Sequence, residues 1–165
     1  MKNNIKTYTL KHLLNLIGDD GQIENIISMV EKNVIPGSPP EHLPVFDLPV
    51  NSKIFSFARI FDLCLASELN KIGLADHVIS KIIEYSEVRE CLQELQEQPN
   101  KNAILIYKGE SLSDDPFTHG SRCEGYCSIV SGDNAEVFYR MITQRAFLSH
   151  YIIDLAKIAR AILNN

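Results

Sequence analysis

Residues 55–83 constrain the fold more than any other part of this chain. Apolar side chains in their first half recur at steps of three and four, which places them on one face of a helix; they are Phe57, Ile60, Phe61, Cys64, Leu65 and Leu69. Gly73 then predicts a helix end, because glycine adopts the left-handed conformation without steric cost. A second apolar face begins at Val78. We therefore predict two amphipathic helices, at 56–72 and 76–86, that need a third partner to bury both faces.

The N-terminal residues predict two more helices. Thr9 suits the N-cap of the first, which carries leucine and isoleucine at helical spacing as far as Ile17. The segment 18–21 contains two glycines and breaks this helix, and Asp20 is available to cap the next one. We predict the second helix at 22–33.

A proline-rich segment at 36–52 separates the two pairs of helices. It holds five of the seven prolines, which excludes a helix and a central strand. Short apolar runs at 44–48 and 53–55 flank a credible turn at 49–52. We predict a small, irregular β-hairpin here.

The remainder of the chain mixes helix and strand. Residues 84–98 predict a solvated helix or connector, since an apolar stripe is surrounded by charge, and Pro99 ends it. Strands are predicted at 103–107, 126–130 and 147–153, and Asp154 can cap a final helix.

The charge balance limits the function classes. The chain has 16 Lys and Arg against 21 Asp and Glu, a net charge of -5, and both halves are acidic. Phosphate neutralisation supplies most nonspecific DNA affinity, so this balance argues against strong nonspecific binding but leaves room for a local basic patch.

The sequence lacks the apolar patterns that are typical of membrane-spanning segments and secretory signals. No apolar run approaches the length that crosses a bilayer, and the N-terminus lacks the apolar region of a secretory signal. Cys64 lies on an apolar helix face, where a reduced, buried thiol is expected. We predict a cytoplasmic protein without a membrane partner.

Several short segments resemble the MerR-like winged helix-turn-helix family over about residues 7–86. The family commonly opens with an aromatic-Thr-aliphatic start and a short helix ending in glycine, here residues 8–10 and Gly18. Residues 30–36, VEKNVIP, are similar to the end of its recognition helix. Phe55-Ser56 and the turn at 72–74 are similar to the two ends of its third helix.

This resemblance implies an α+β fold in which an N-terminal winged helix-turn-helix precedes a small α/β C-terminal unit. We place the winged-helix domain at 1–88, a helical connector at 89–102 and the C-terminal domain, a possible dimerisation or effector region, at 103–165. The implied function is a homodimeric, DNA-binding transcriptional regulator whose second helix enters the major groove.

The resemblance also implies which side chains meet DNA. Expected phosphate contacts come from Lys11, Lys32, Lys53 and Arg59. The candidate base readers are Gln22, Asn25 and Ser28.

Two departures from the family favour a different function. Where the recognition helix of the family carries two arginines, this chain has Glu24 and Ile27. A carboxylate repels phosphate, and isoleucine cannot make a bidentate contact with a base. The alternative is a protein-interaction or assembly module on a winged-helix scaffold that has lost DNA binding.

Neither catalysis nor a cofactor is predicted. The chain has no phosphate-binding loop of the Walker type, no dinucleotide fingerprint and no HExxH motif. His119, Cys123 and Cys127 form the one suggestive cluster, since three soft ligands could hold a thiophilic metal. Their spacing differs from that of structural zinc sites, so ordinary packing and surface cysteines are the expectation.

Overall fold

The computed structural model describes residues 8–18, 20–32, 34–35, 53–108, 126–132 and 150–164. The described part mixes helices with short antiparallel sheets, so the predicted α+β class is confirmed. Its elements, in chain order, are β1 (Tyr8–Thr9), α1 (Leu10–Ile17), α2 (Asp20–Glu31), β2 (Lys53–Phe55), α3 (Phe57–Lys71), α4 (Asp76–Glu84), α5 (Ser86–Glu97), β3 (Ala103–Lys108), β4 (Tyr126–Ser131), β5 (His150–Asp154) and α6 (Leu155–Leu163).

Both ends of α1 follow the sequence prediction. The Thr9 hydroxyl accepts a hydrogen bond from the backbone N–H of His12, and the Thr9 N–H donates to the His12 ring at 3.0 Å. This reciprocal arrangement satisfies backbone donors that a helix start leaves free. Gly18 ends the helix in the left-handed conformation, with φ of 71°. α2 begins at Asp20, so this residue belongs to the helix and the prediction that it precedes the helix as a cap was wrong.

Helix α3 lies at the centre of the molecule. Ser56 caps it by accepting a hydrogen bond from the backbone N–H of Arg59 at 3.2 Å. Ten of its fifteen residues are buried, because α1, α2, α4, α6 and β2 all pack around it. Each fully buried Leu, Ile or Phe contributes about 1.5–3 kcal/mol of hydrophobic free energy, so α3 is the main source of apolar burial.

Helix α5 is more deeply packed than the predicted connector. Its apolar residues recur at steps of three and four and are buried: Val88, Cys91, Leu92 and Leu95. The glutamates of the other face are exposed, as predicted. The helix therefore has one solvated face and one face in the core.

The C-terminal strands form an antiparallel sheet in the order β4-β3-β5. Leu105 and Tyr107 belong to the main core, on the face that α5 and α6 cover. Ile104 and Ile106 lie on the opposite face, as the period of two requires, and form a small second cluster. Asp154 caps α6 as predicted, accepting from the Lys157 N–H at 2.7 Å.

Strand β2 pairs with β1 in an antiparallel arrangement. This pairing ties the residues before α3 to those before α1. The other run of the predicted hairpin, 44–48, and its turn lie outside the described residues.

A single core cluster contains side chains from Tyr8 in β1 to Ile162 in α6. The boundaries at 88/89 and 102/103 stay a prediction. Side chains from all three predicted parts nevertheless contribute to this one core.

Candidate nucleic-acid interface

Most of the predicted DNA-binding residues lie on α1, on α2 or directly after α2, and their exposed side chains are called the α1–α2 surface here. Lys11, Asn25 and Lys32 are exposed. Gln22 and Ser28 are half-buried, and the Oε1 atom of Gln22 is buried without a hydrogen-bond donor in the described part of the chain. Asn25 is therefore the most accessible of the three candidate base readers.

Asn25 is engaged within the protein by a replaceable contact. Its Nδ2 donates to Oδ1 of Asn70 at 3.2 Å, which links α2 to α3. The bond is exposed and joins two neutral groups, and such bonds contribute only about 0.5–1.5 kcal/mol. A base edge could take the place of Asn70 at small cost.

Lys32 has a similarly weak internal partner. Its Nζ lies 3.7 Å from a carboxylate oxygen of Asp76, and the two side chains are 63% and 43% exposed. Exposed ion pairs of this kind contribute about 0–1 kcal/mol. Asp76 is the first residue of α4, where a carboxylate also complements the helix dipole.

Arg59 differs from the lysines because it is half-buried on α3. Burial lowers the pKa of its guanidinium, and the negative charge of Asp62 opposes that change. Arg59 is therefore less accessible to a DNA phosphate than the exposed Lys11 and Lys32. The backbone of Lys53 pairs with β1, and its side chain lies outside the described part.

A partly buried ionic joint between α3, α4 and α5 was missed by the sequence analysis. An Nη2–H of Arg89 donates to Oδ1 of Asp62 at 2.8 Å, and its Nε–H donates to the carbonyl oxygen of Ile83 at 2.6 Å. One guanidinium thereby joins α3, the end of α4 and α5. Burial raises the pKa of the Asp62 carboxyl above its ordinary value, although Arg89 opposes the rise. The only sequence signal was an aspartate within an apolar helix face.

The suggestive cluster of His119, Cys123 and Cys127 lies mostly outside the described residues. His119 and Cys123 lie outside them, and Cys127 is placed only by its backbone, opposite Tyr107 in the sheet. Within the described ranges, no group of three or more His, Cys, Asp and Glu could hold a metal ion.

The two described cysteine side chains are free thiols in buried positions, which confirms the prediction for Cys64. Burial raises the pKa of Cys64 to about 12 and that of Cys91 to about 11. Thiolates are the reactive form of cysteine, so both thiols are inert at neutral pH.

Comparison with protein-family models, curated proteins and solved structures found no match to this chain. Across the described residues, the structure has no helix that is both long enough and apolar enough to cross a membrane. The geometry of the chain itself therefore carries the functional argument below.

Proposed function

We propose that this chain is a cytoplasmic transcriptional regulator that binds duplex DNA as a homodimer through α2 and the segment before α3, on a winged helix-turn-helix scaffold. One observation carries the proposal: α1 and α2 are joined at the left-handed Gly18 and pack on α3, with Lys11, Asn25 and Lys32 exposed. α2 would enter the major groove, and Lys53 would contact the flanking phosphates.

The internal contacts of this surface support the proposal by their weakness. The Asn25–Asn70 hydrogen bond and the Lys32–Asp76 ion pair are exposed. Each contributes about 1 kcal/mol or less. DNA can therefore replace both partners.

The number of cations limits the affinity of one protomer. With Lys11, Lys32 and Lys53 on phosphates, the logarithm of the binding constant should fall with the logarithm of salt concentration at a slope of about −3. Such a protomer binds weakly, so two copies on adjacent half-sites are needed. The homodimer is thus a requirement of the proposed function.

The test measures fluorescence anisotropy of labelled random and genomic duplexes over a range of salt concentrations. Lys11→Gln and Lys32→Gln should each weaken binding to all sequences and reduce the salt slope by about one. Lys81→Gln removes an equal charge from an exposed position on α4 and should change neither quantity. Absence of binding to every duplex at low salt would refute DNA binding.

A second candidate function, the protein-interaction module, is favoured by the exposed Glu24 and by the half-buried Gln22 and Ser28. A carboxylate on the groove-facing helix repels phosphate, and the polar side chains beside it are only partly accessible. In this case the two lysine variants retain partner binding and oligomeric state, and no duplex binds.

A further inference from the structure

The outer edge of β5 lies beside a groove. Among the described strands, β5 is at one edge of its sheet, because β3 occupies its other side. Ile152, Ile153 and Asp154 all line the groove. Successive residues of a strand point to opposite faces, so a groove lined by all three lies beside the edge of β5 near the start of α6, and not on one face of the sheet.

The assignment of these side chains to clusters supports that geometry. Ile153 belongs to the main core, whereas Ile152 packs against the second cluster on the other face of the sheet. The groove therefore gives access to the backbone of β5, whose outward N–H and C=O groups can pair with an added strand.

The groove has the size and lining of a binding site for one extended segment. Its volume is about 490 Å³, within the usual range for ligand pockets and too small for a second folded sheet. The other walls come from α1, from α3 with the residue after it, and from α6; their described apolar members are Leu16, Cys64, Ile72, Ile158 and Ala161.

The charged residues of the lining favour a cationic residue on the bound segment. Among the described lining residues, Glu68, Asp154 and Lys157 give an excess of one negative charge. Glu68 accepts a hydrogen bond from Lys71 at 2.7 Å, but this pair is about half exposed. Such a pair contributes about 1 kcal/mol or less, so Glu68 can also receive a cation from a partner.

We propose that the β5 edge binds an extended peptide segment of a partner protein as an added antiparallel strand. The segment carries apolar side chains at alternate positions, which enter the groove, and a lysine or arginine that reaches Glu68. Backbone hydrogen bonds supply affinity in this mode, and the alternate side chains supply specificity. None of the residues lining the groove is a predicted DNA contact, so the site does not depend on DNA binding. The proposal specifies the kind of partner that the second candidate function would bind.

The test uses the full chain and the capped peptide Val-Lys-Val-Thr-Val-Thr, followed by NMR. We expect chemical-shift changes at the backbone amides of residues 151–154 and at the methyl groups of Ile72 and Ile158. The methyl groups of Ile60 and Ile83, which are fully buried elsewhere, should not move. Methylation of alternate backbone nitrogens of the peptide removes the N–H groups that would hydrogen-bond to β5, and it should abolish binding.

Charge variants sharpen the test. Glu68→Gln should weaken binding of the lysine peptide about tenfold, since hydrogen bonds to charged groups are the stronger class. Glu97→Gln removes the same charge from the exposed face of α5 and should leave binding unchanged.

Three results would overturn the proposal. They are equal binding of the methylated peptide, no shift with any of the peptides, and dimerisation of the free chain through residues 150–154, which would assign the edge to a second copy. Failure to bind DNA would leave it intact, because all of these measurements are made without nucleic acid.

Discussion

Two ion pairs of this protein, Lys32–Asp76 at the α1–α2 surface and Arg89–Asp62 between α5 and α3, differ in strength because they differ in exposure to water. Lys32 and Asp76 are paired at 3.7 Å with both side chains largely solvated. Asp62 and Arg89 are paired at 2.8 Å, and the Asp62 side chain is only 8% exposed. Water screens the first pair from both sides and competes for it, whereas it reaches the second only through Arg89, whose side chain is 35% exposed. The exposed pair therefore exchanges its partners more readily than the pair that holds α3 to α5.

The largest effect should come from breaking the buried joint. Arg89→Met removes the hydrogen-bonded partner of a buried carboxylate and should lower the free energy of unfolding by about 3 kcal/mol at neutral pH, the low end for a buried pair, because Arg89 is 35% exposed and the charge of Arg59 remains. Urea denaturation measures it. Lys101→Met is the matched control, because the carboxylate it leaves behind, Glu94, is 50% exposed and remains hydrated, and it should cost less than about 1 kcal/mol.

The pH dependence of the same variant provides a check. Because the folded-state pKa of Asp62 is raised above the unfolded value, its contribution to stability falls as pH rises through the interval between the two. Removing Arg89 raises the folded-state pKa of Asp62 further, so the pH interval over which stability falls extends to higher pH. The destabilisation should therefore be smaller at mildly acidic pH, and an equal loss at both pH values would contradict the assignment.

The next largest effect tests whether α5 belongs to the core. Leu95 is fully buried, so Leu95→Ala should cost about 2–5 kcal/mol in the same urea experiment. A helix that acted only as a connector would lose less than about 0.5 kcal/mol, as exposed sites do. Gln96→Ala, at an exposed position one residue along, is the control.

A smaller effect is expected at the start of α1. Thr9→Ala removes the hydroxyl that caps the helix and should cost about 1 kcal/mol. Thr9→Ser retains a capping hydroxyl and should restore most of the lost stability. Thermal unfolding followed by circular dichroism compares the two; equal losses would show that the methyl group, and not the cap, is responsible.

The smallest effect on stability is expected at the exposed Lys32–Asp76 pair, where a substitution tests DNA binding most directly. Asp76→Asn should change the free energy of unfolding by less than about 1 kcal/mol, because the pair is solvated. It also frees Lys32 and removes a charge that repels phosphate. DNA affinity should rise, whereas the salt slope should stay near about −3, because Lys32 already contacts a phosphate in the wild-type complex. Unchanged affinity would place Lys32 away from the phosphates.

Local patterns were sufficient to predict most helices and strands. Thr9 and Asp154 were predicted as caps because each precedes a helical apolar pattern, and both side chains cap a helix. Ser56, which was predicted as the first residue of its helix, caps α3 instead. Capping depends on the nearest few residues, which explains the agreement. The candidate interface was less predictable, because the spacing of Gln22 and Ser28 along α2 does not show that neighbouring helices half-bury them.

The sequence by itself determined where the described helices and most strands lie, since caps, Gly18 and apolar periodicity act over a few residues. Only the tertiary structure decided which elements meet. It paired Asp62 with Arg89 across 27 positions, placed one face of α5 in the core, joined β2 to β1 and left a groove beside β5. Each of these contacts depends on packing between distant segments, and no local pattern specifies which distant partner a face will bury.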